Sequence, residues 1–178
     1  MARTEATLIP ALTRRARPTD ERALAALLAR CSPDTLYRRF HGAVGSAVKH
    51  EVRRMANPTG RHRSWVVIAG GEIRGTATLA WGSDGVVEAA FLVEDAWARR
   101  GMGERLFQAI AEEARRIGVA EVTAWVQGDN EPARRFLRAM APDAQMRFAG
   151  YGELEVTMPF GDARRPSITA AAPLRRTA

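Results

Sequence analysis

Residues 86–103 read Val86-Val87-Glu88-Ala89-Ala90-Phe91-Leu92-Val93-Glu94-Asp95-Ala96-Trp97-Ala98-Arg99-Arg100-Gly101-Met102-Gly103. The first eight are apolar and β-favouring apart from one carboxylate, which predicts a central strand over 86–93. The chain then passes through two glycines into 101–118, where Leu106, Phe107, Ile110, Ala114 and Ile117 fall on one helical stripe. A glycine-rich turn from a strand into a helix leaves successive backbone N–H groups without intrahelical partners, at the positive end of the helix dipole. Two uses follow from that pattern alone: an anion such as phosphate held on the N–H groups, or a tight turn of purely structural value. A dinucleotide fold is disfavoured, because Gly101-Met102-Gly103-Glu104-Arg105-Leu106 lacks the third glycine. The Lys-Ser/Thr pair of a P-loop is missing as well.

Working outward from this stretch, 119–126 predicts a further strand and 131–140 a shorter helix opened by Asp129 or Asn130. Strands over 145–150 and 153–160 follow. Upstream, strands 65–69 and 76–81 flank Gly70-Gly71 and read as an antiparallel hairpin, and Gly82-Ser83-Asp84-Gly85 makes the next turn. Before them come a strand over 11–16 and a helix over 21–30 carrying Leu24, Leu27 and Leu28, opened by Arg17-Pro18-Thr19-Asp20. A second short helix runs over 34–40 behind Ser32-Pro33, and a third is expected around 46–55, ended by Asn57-Pro58-Thr59-Gly60. This order implies an α+β or α/β mixture around a mostly antiparallel sheet. The expected domain is 11–160, with an N-terminal extension over 1–10 and a flexible basic tail over 161–178.

Composition narrows the function. The chain has 178 residues, 46% hydrophobic and 26% charged, with a single cysteine, which is the make-up of one globular domain. No apolar run approaches the ~20 residues of a membrane-spanning helix, and the N-terminus lacks the apolar core of a signal peptide, so the expected location is the cytoplasm. Cys31 has no cysteine partner in the chain, which excludes an internal disulfide. His41, His50 and His62 lack metal-ligand spacing, so no metal is expected. The net charge of +7 suggests nucleic acid, but it divides unevenly: residues 1–60 carry +6, residues 61–160 carry −2 and residues 161–178 carry +3. Lys49 is the only lysine among 27 basic residues, a skew that GC-rich coding explains better than nucleic-acid binding does. Trp65, Trp81, Trp97 and Trp125 stand singly within strands or at strand ends, as core or cofactor-flanking residues do.

The run from Glu88 to Gly103 resembles the fourth strand and acetyl-CoA signature of the GNAT superfamily of N-acetyltransferases. That signature, Gln/Arg-x-x-Gly-x-Gly/Ala, aligns with Ala98-Arg99-Arg100-Gly101-Met102-Gly103, with Ala at the first position. Asn130-Glu131-Pro132-Ala133 resembles the family's later motif, in which an Asn precedes a helix beside the pantetheine arm. Ser32-Pro33-Asp34-Thr35-Leu36-Tyr37-Arg38-Arg39-Phe40 is similar to a helix of bacterial protein-lysine acetyltransferases, which also carry a Glu nine residues before the Trp, as Glu88 and Trp97 are spaced here.

The resemblance implies an α+β (α/β sandwich) fold, a mostly antiparallel mixed sheet of six to seven strands with helices on both faces, and acetyl-CoA as cosubstrate. Backbone groups of Phe91, Leu92 and Val93 would pair with pantetheine like an added strand, Ala98, Arg99, Arg100, Gly101, Met102 and Gly103 would hold the pyrophosphate, and Asn130 and Ala133 would border the arm. An amine acceptor must lose a proton before it attacks the thioester. Glu88 is the candidate base, with desolvation expected to raise its proton affinity. Many family members carry a proton-donating Tyr seven residues after the Asn; here Leu137 stands there, so the general acid is unassigned. Cys31 reads as a buried hydrophobe, which favours direct transfer.

The function so implied is acetyl transfer to a primary amine of a protein lysine or a small molecule. The alternative is a catalytically silent acetyl-CoA-binding sensor or partner domain. Neither a membrane nor a nucleic-acid partner is expected, and a homodimer is left open. In the resembled fold the first helices border the acceptor cleft, so Arg38, Arg39, Arg53 and Arg54 are candidates for selecting an acidic acceptor or touching the anionic cofactor.

Overall fold

The computed structural model describes residues 10–40 and 47–161. Seven strands form one sheet: β1 (Ala11–Arg15), β2 (His62–Ala69), β3 (Glu72–Trp81), β4 (Val87–Val93), β5 (Glu121–Gln127), β6 (Gln145–Gly150) and β7 (Glu153–Pro159), in the spatial order β1-β2-β3-β4-β5-β7-β6. Neighbours are antiparallel except β4 and β5, which run parallel. The helices are α1 (Glu21–Arg30), α2 (Pro33–Phe40), α3 (Ala47–Ala56), α4 (Met102–Arg116) and α5 (Glu131–Met140). The fold is therefore the expected α+β sandwich.

Strand alternation assigns each side chain to a face. Val87 and Ala89 of β4 join Ala77 and Leu79 of β3 in a core against Leu106, Phe107, Ile110 and Ala114 of α4. Leu92 points the other way, with Val66 and Ile73, into a second core filled by Leu24, Leu27 and Leu28 of α1 and by Val52 and Met55 of α3. Burying these apolar side chains stabilises by about 1.5–3 kcal/mol for each large residue before ordering entropy is counted.

Several boundaries move from those the sequence predicts. β2 begins at His62 and β3 at Glu72, ahead of the expected 65 and 76. Pairing continues through the polar residues because the register Ala69↔Glu72 closes the hairpin directly at Gly70-Gly71. The expected strand at 119 starts at Glu121, since the N–H of Val119 is spent on the carbonyl of Ala114 as the chain leaves α4. Asp20 is not a simple helix cap. It sits in a 3-10 turn, Pro18–Asp20, and its carboxylate accepts from the Arg17 N–H at 2.8 Å and from both Nη groups of Arg14 at 2.7 Å. The hydrogen bonds from Arg14 hold its proton affinity below the ordinary aspartate value. The expected extension and tail lie outside the described residues, except Pro10 and Gly161.

Candidate active site

The parallel pair β4 and β5 has one registered contact, Glu88↔Thr123. Beyond it toward Val93 the two strands separate, so the inner backbone edge of Phe91–Val93 faces a gap. Aromatic rings pack along that gap: Phe91 and Phe136 meet edge to face at 5.9 Å, and Phe107 lies 6.1 Å from both. Phe91, Leu92, Val93, Ala98, Arg99, Gly101, Gly103, Asn130 and Ala133, all singled out from the sequence, line one groove of about 630 Å³.

At the mouth of this groove the backbone is prepared for an anion. Arg99 and Gly101 both adopt the left-handed conformation, with φ of 58° and 79°. That conformation suits Gly101, which has no Cβ to strain it. The first intrahelical bond of α4 runs from the Arg105 N–H to the Gly101 carbonyl at 3.1 Å. The N–H groups of Arg99 through Glu104 donate no hydrogen bond among the described residues, which makes a run of free donors of the kind that binds phosphates. Gly103 lets α4 and α5 approach closely: a Cβ there would stand 3.2 Å from the Phe136 ring, which would have to give by a few tenths of an ångström.

Two of the expected residues contribute differently. The Met102 side chain is 1% exposed, in the core beneath the turn, and Met102 does not line the groove. The Arg100 guanidinium lies over the Trp97 ring at 5.3 Å, with Arg74 on the same ring at 4.8 Å. Between Asp129 and Asn130, it is Asn130 that caps α5, its Oδ1 accepting from the Ala133 N–H at 3.2 Å.

The turn is anchored from behind. Glu94 is buried and accepts from Arg30 at 2.9 Å and from Arg74 at 3.0 Å. Burial alone would raise its proton affinity, but hydrogen bonds from Arg74 and Arg30 outweigh that and hold the carboxyl below its ordinary value. Asp95 accepts from the Ser32 N–H at 2.8 Å, the Ser32 hydroxyl at 2.9 Å and the Thr35 hydroxyl at 2.7 Å. These bonds pin the first turn of α2 to the strand end, and with it the position of Arg38 and Arg39.

Glu88 stands at the apex of the split, on the sheet face under α2 and α3. It lines a second cavity of about 380 Å³ that shares Phe91, Asn130, Ala133 and Phe136 with the groove. The Trp125 indole N–H donates to Glu88 Oε1 at 3.2 Å. The expected desolvation of Glu88 is not found: it is an exposed side chain, because its row on that face, His62–Ala80–Glu88–Thr123, puts a small alanine beside it. Leu137 is 2% exposed in the core and supplies no hydroxyl. Tyr37 and Tyr151 are exposed elsewhere, so the structure adds no tyrosine acid.

Sequence reasoning passed over Trp125 as a partner of Glu88. The signal was present, since Val122, Ala124 and Val126 point inward and alternation turns Trp125 to the Glu88 face. Of the arginines considered near the acceptor, Arg38, Arg39 and Arg54 line the Glu88 cavity. Arg53 instead points to Glu21 at 3.4 Å, on another part of the surface. Cys31 is buried, donates to the Leu27 carbonyl at 3.3 Å, and burial pushes its thiol up to about 12. It remains protonated and unreactive at neutral pH. Among the described residues no three metal-ligating side chains converge, and no helix is long and apolar enough to cross a membrane.

This geometry has counterparts. The profile of the acetyltransferase (GNAT) family matches residues 25–141. The GNAT domain of PAT from S. lividans is similar at a TM-score of 0.74 and 20% identity, covering 89% of this chain and 99% of that one. The ribosomal-protein-S18-alanine N-acetyltransferase of Escherichia coli is similar at 0.64 and 17% identity, covering 86% and 96%. The PaiA N-acetyltransferase of Thermoplasma acidophilum, solved in complex with coenzyme A, is similar at 0.62 and 11% identity, covering 85% and 99%. No curated protein sequence matches closely enough to count as a relative. The family match spans the split strands, the glycine turn and the capped α5 together, and the chain belongs to the acetyltransferase (GNAT) family.

Proposed function

We propose that this protein transfers the acetyl group of acetyl-CoA directly to a primary amine, with a protein lysine as the leading acceptor, and that Glu88 is the base. The observation that carries this reading is the single-pair contact of β4 and β5. It opens an unpaired strand edge, a run of free N–H donors and a carboxylate onto one continuous cleft.

Acetyl-CoA supplies an activated acetyl thioester when bound. The free N–H groups from Arg99 to Glu104 suit its diphosphate, and the backbone edge of Phe91–Val93 suits the pantetheine amides. Ala133 and Phe136 give the arm an apolar wall. Glu88 takes the proton from an ammonium acceptor, and the Trp125 indole holds the carboxylate in place while it does so. With Leu137 in the place of a hydroxyl donor, the departing thiolate is left to solvent, which is workable for a group with a solution pKa of about 8.5. The E. coli neighbour, named for an alanine of a ribosomal protein, supports a polypeptide amine as acceptor.

Calorimetry with acetyl-CoA and a thiol-release assay over an amine panel test this reading. Binding is expected in the micromolar range, and Glu88→Gln is expected to slow thiol release by about 10²–10⁴-fold while leaving acetyl-CoA affinity unchanged. Binding without release on any amine would favour the silent sensor domain, and an unchanged rate in Glu88→Gln would remove Glu88 as base.

A further inference from the structure

We infer that the acceptor carries a carboxylate near its reactive amine, and that Arg39 is the specificity-determining residue that holds it. This rests on the acetyl-transfer reading of the same cleft. Three guanidinium side chains, Arg38, Arg39 and Arg54, line the cavity that contains Glu88. Two already have carboxylate partners. Arg38 is bonded to Asp34 at 2.8 Å and reaches Asp129 at 3.5 Å, and Arg54 reaches Glu51 at 3.1 Å.

Arg39 differs. It makes no ion pair among the described residues, its nearest ring contact is Phe40 at 4.9 Å, and its Nε is shielded from solvent with no hydrogen-bond partner. Arg39 is half-buried, and leaving its Nε–H shielded without a partner is costly. Burial, with Arg54 adding repulsion, draws its proton affinity down to about 10, against partial support from Glu51. The same cationic surroundings act on His62 in the strand row of Glu88. Burial first, then Arg54 and Arg39, lower it to about 4, so His62 is neutral and does not compete for an anion.

Position gives the unpaired guanidinium a use. Arg39 lines both the acetyl-CoA groove and the Glu88 cavity, so it stands where the two meet. α2 is held there by the bonds of Ser32 and Thr35 to Asp95. With Nε shielded, the two Nη groups are the donors left for an incoming carboxylate, and a planar guanidinium can meet it through that paired end. An acceptor spanning the cavity would place its ammonium at Glu88 and its carboxylate at Arg39. That carboxylate has two sources, a free amino acid or an acidic residue flanking a lysine, and both present the same chemistry to Arg39.

Matched acceptors separate the sources. Free lysine is compared with lysine amide, and acetyl-Asp-Lys-Asp-amide with acetyl-Asn-Lys-Asn-amide, in thiol release and in calorimetry on protein saturated with coenzyme A. At least one carboxylate member is expected to exceed its neutral twin by about tenfold or more in kcat/KM and in affinity, and the pair that does so identifies the source. In Arg39→Gln that preference should fall below about threefold through KM for the acceptor, with KM for acetyl-CoA unchanged. Equal binding within both pairs, or no binding of any probe at 20 mM, overturns the inference without reference to any variant's folding. So does a rise in KM for acetyl-CoA in place of the acceptor KM, which would assign Arg39 to the cofactor. Because calorimetry reads the preference without turnover, failure of acetyl transfer alone would count against the proposed activity and leave the carboxylate preference separately measurable.

Discussion

Removing one carboxylate from α4 should make the protein measurably less stable at neutral pH and only slightly less stable in strong acid. Glu113 lies on the buried side of α4, 6% exposed, and meets Arg15 of β1 at 2.6 Å, Arg116 at 2.7 Å and Arg63 of β2. Hydrogen bonds from Arg116, then from Arg15 and Arg63, outweigh the opposing effect of burial and hold its carboxyl at about 2. An unconstrained glutamate titrates at about 4.3, and a tenfold change in proton affinity is worth about 1.4 kcal/mol, so the difference amounts to about 3 kcal/mol. Arg15 and Arg116 are 50% and 61% exposed, and solvent screening of their side of the pairs reduces the expected value to about 2 kcal/mol. The folded-state value is depressed, so this contribution is fully present above the unfolded value and is lost as pH falls toward about 2. Glu113→Gln should therefore lower unfolding free energy by about 2 kcal/mol at pH 7, or the melting temperature by about 4–8 °C, and converge on wild type near pH 2. Urea unfolding of both proteins from pH 2 to 7 measures this. A difference below about 0.5 kcal/mol at pH 7, or one that does not change with pH, would refute the ion-cluster argument.

Two further substitutions probe the cleft. Gly101→Ala forces a Cβ onto a backbone with φ of 79°, at a cost of about 1–2 kcal/mol, and should weaken acetyl-CoA binding by about tenfold as the free N–H run distorts. Calorimetry with unchanged affinity would mean the run is not the anion site. Trp125→Phe keeps the ring and deletes the indole N–H that meets Glu88. Thiol release should slow by about three- to tenfold, the scale of one ordinary net hydrogen bond of about 0.5–1.5 kcal/mol, with acetyl-CoA affinity unaltered, and an identical rate would show that Glu88 needs no positioning from this side.

Much of the fold was legible in local chemistry. The stripe Leu106, Phe107, Ile110, Ala114 defined α4, and its observed span lies within the expected 101–118. The α1 and α5 boundaries coincide with the expected 21–30 and 131–140, because leucine spacing marks one and the cap candidates Asp129 and Asn130 mark the other. Starts of β2 and β3 were missed because His62, Arg63, Ser64 and Arg74 are polar. Such residues join a strand when a partner's register claims them, and no local pattern announces that. Desolvation of Glu88 was expected from its apolar neighbours in sequence, yet sequence neighbours in a strand point to opposite faces. Its true surroundings are Ala80, Trp125 and open cleft.

What the sequence determined by itself was the order of elements, the glycine turn with its potential for free N–H groups, the span of α5 and the absence of a tyrosine at Leu137. These depend on interactions within a few residues, which periodicity and turn chemistry encode directly. Tertiary structure alone decided that β4 and β5 share one registered pair and then part, that Arg39 comes to rest at the junction of two cavities without an ion pair among the described residues, and that Arg15, Arg63 and Arg116 converge on Glu113. Each of those depends on chain segments far apart in sequence being packed together, and the packing of a whole sheet and its helices sets such distances.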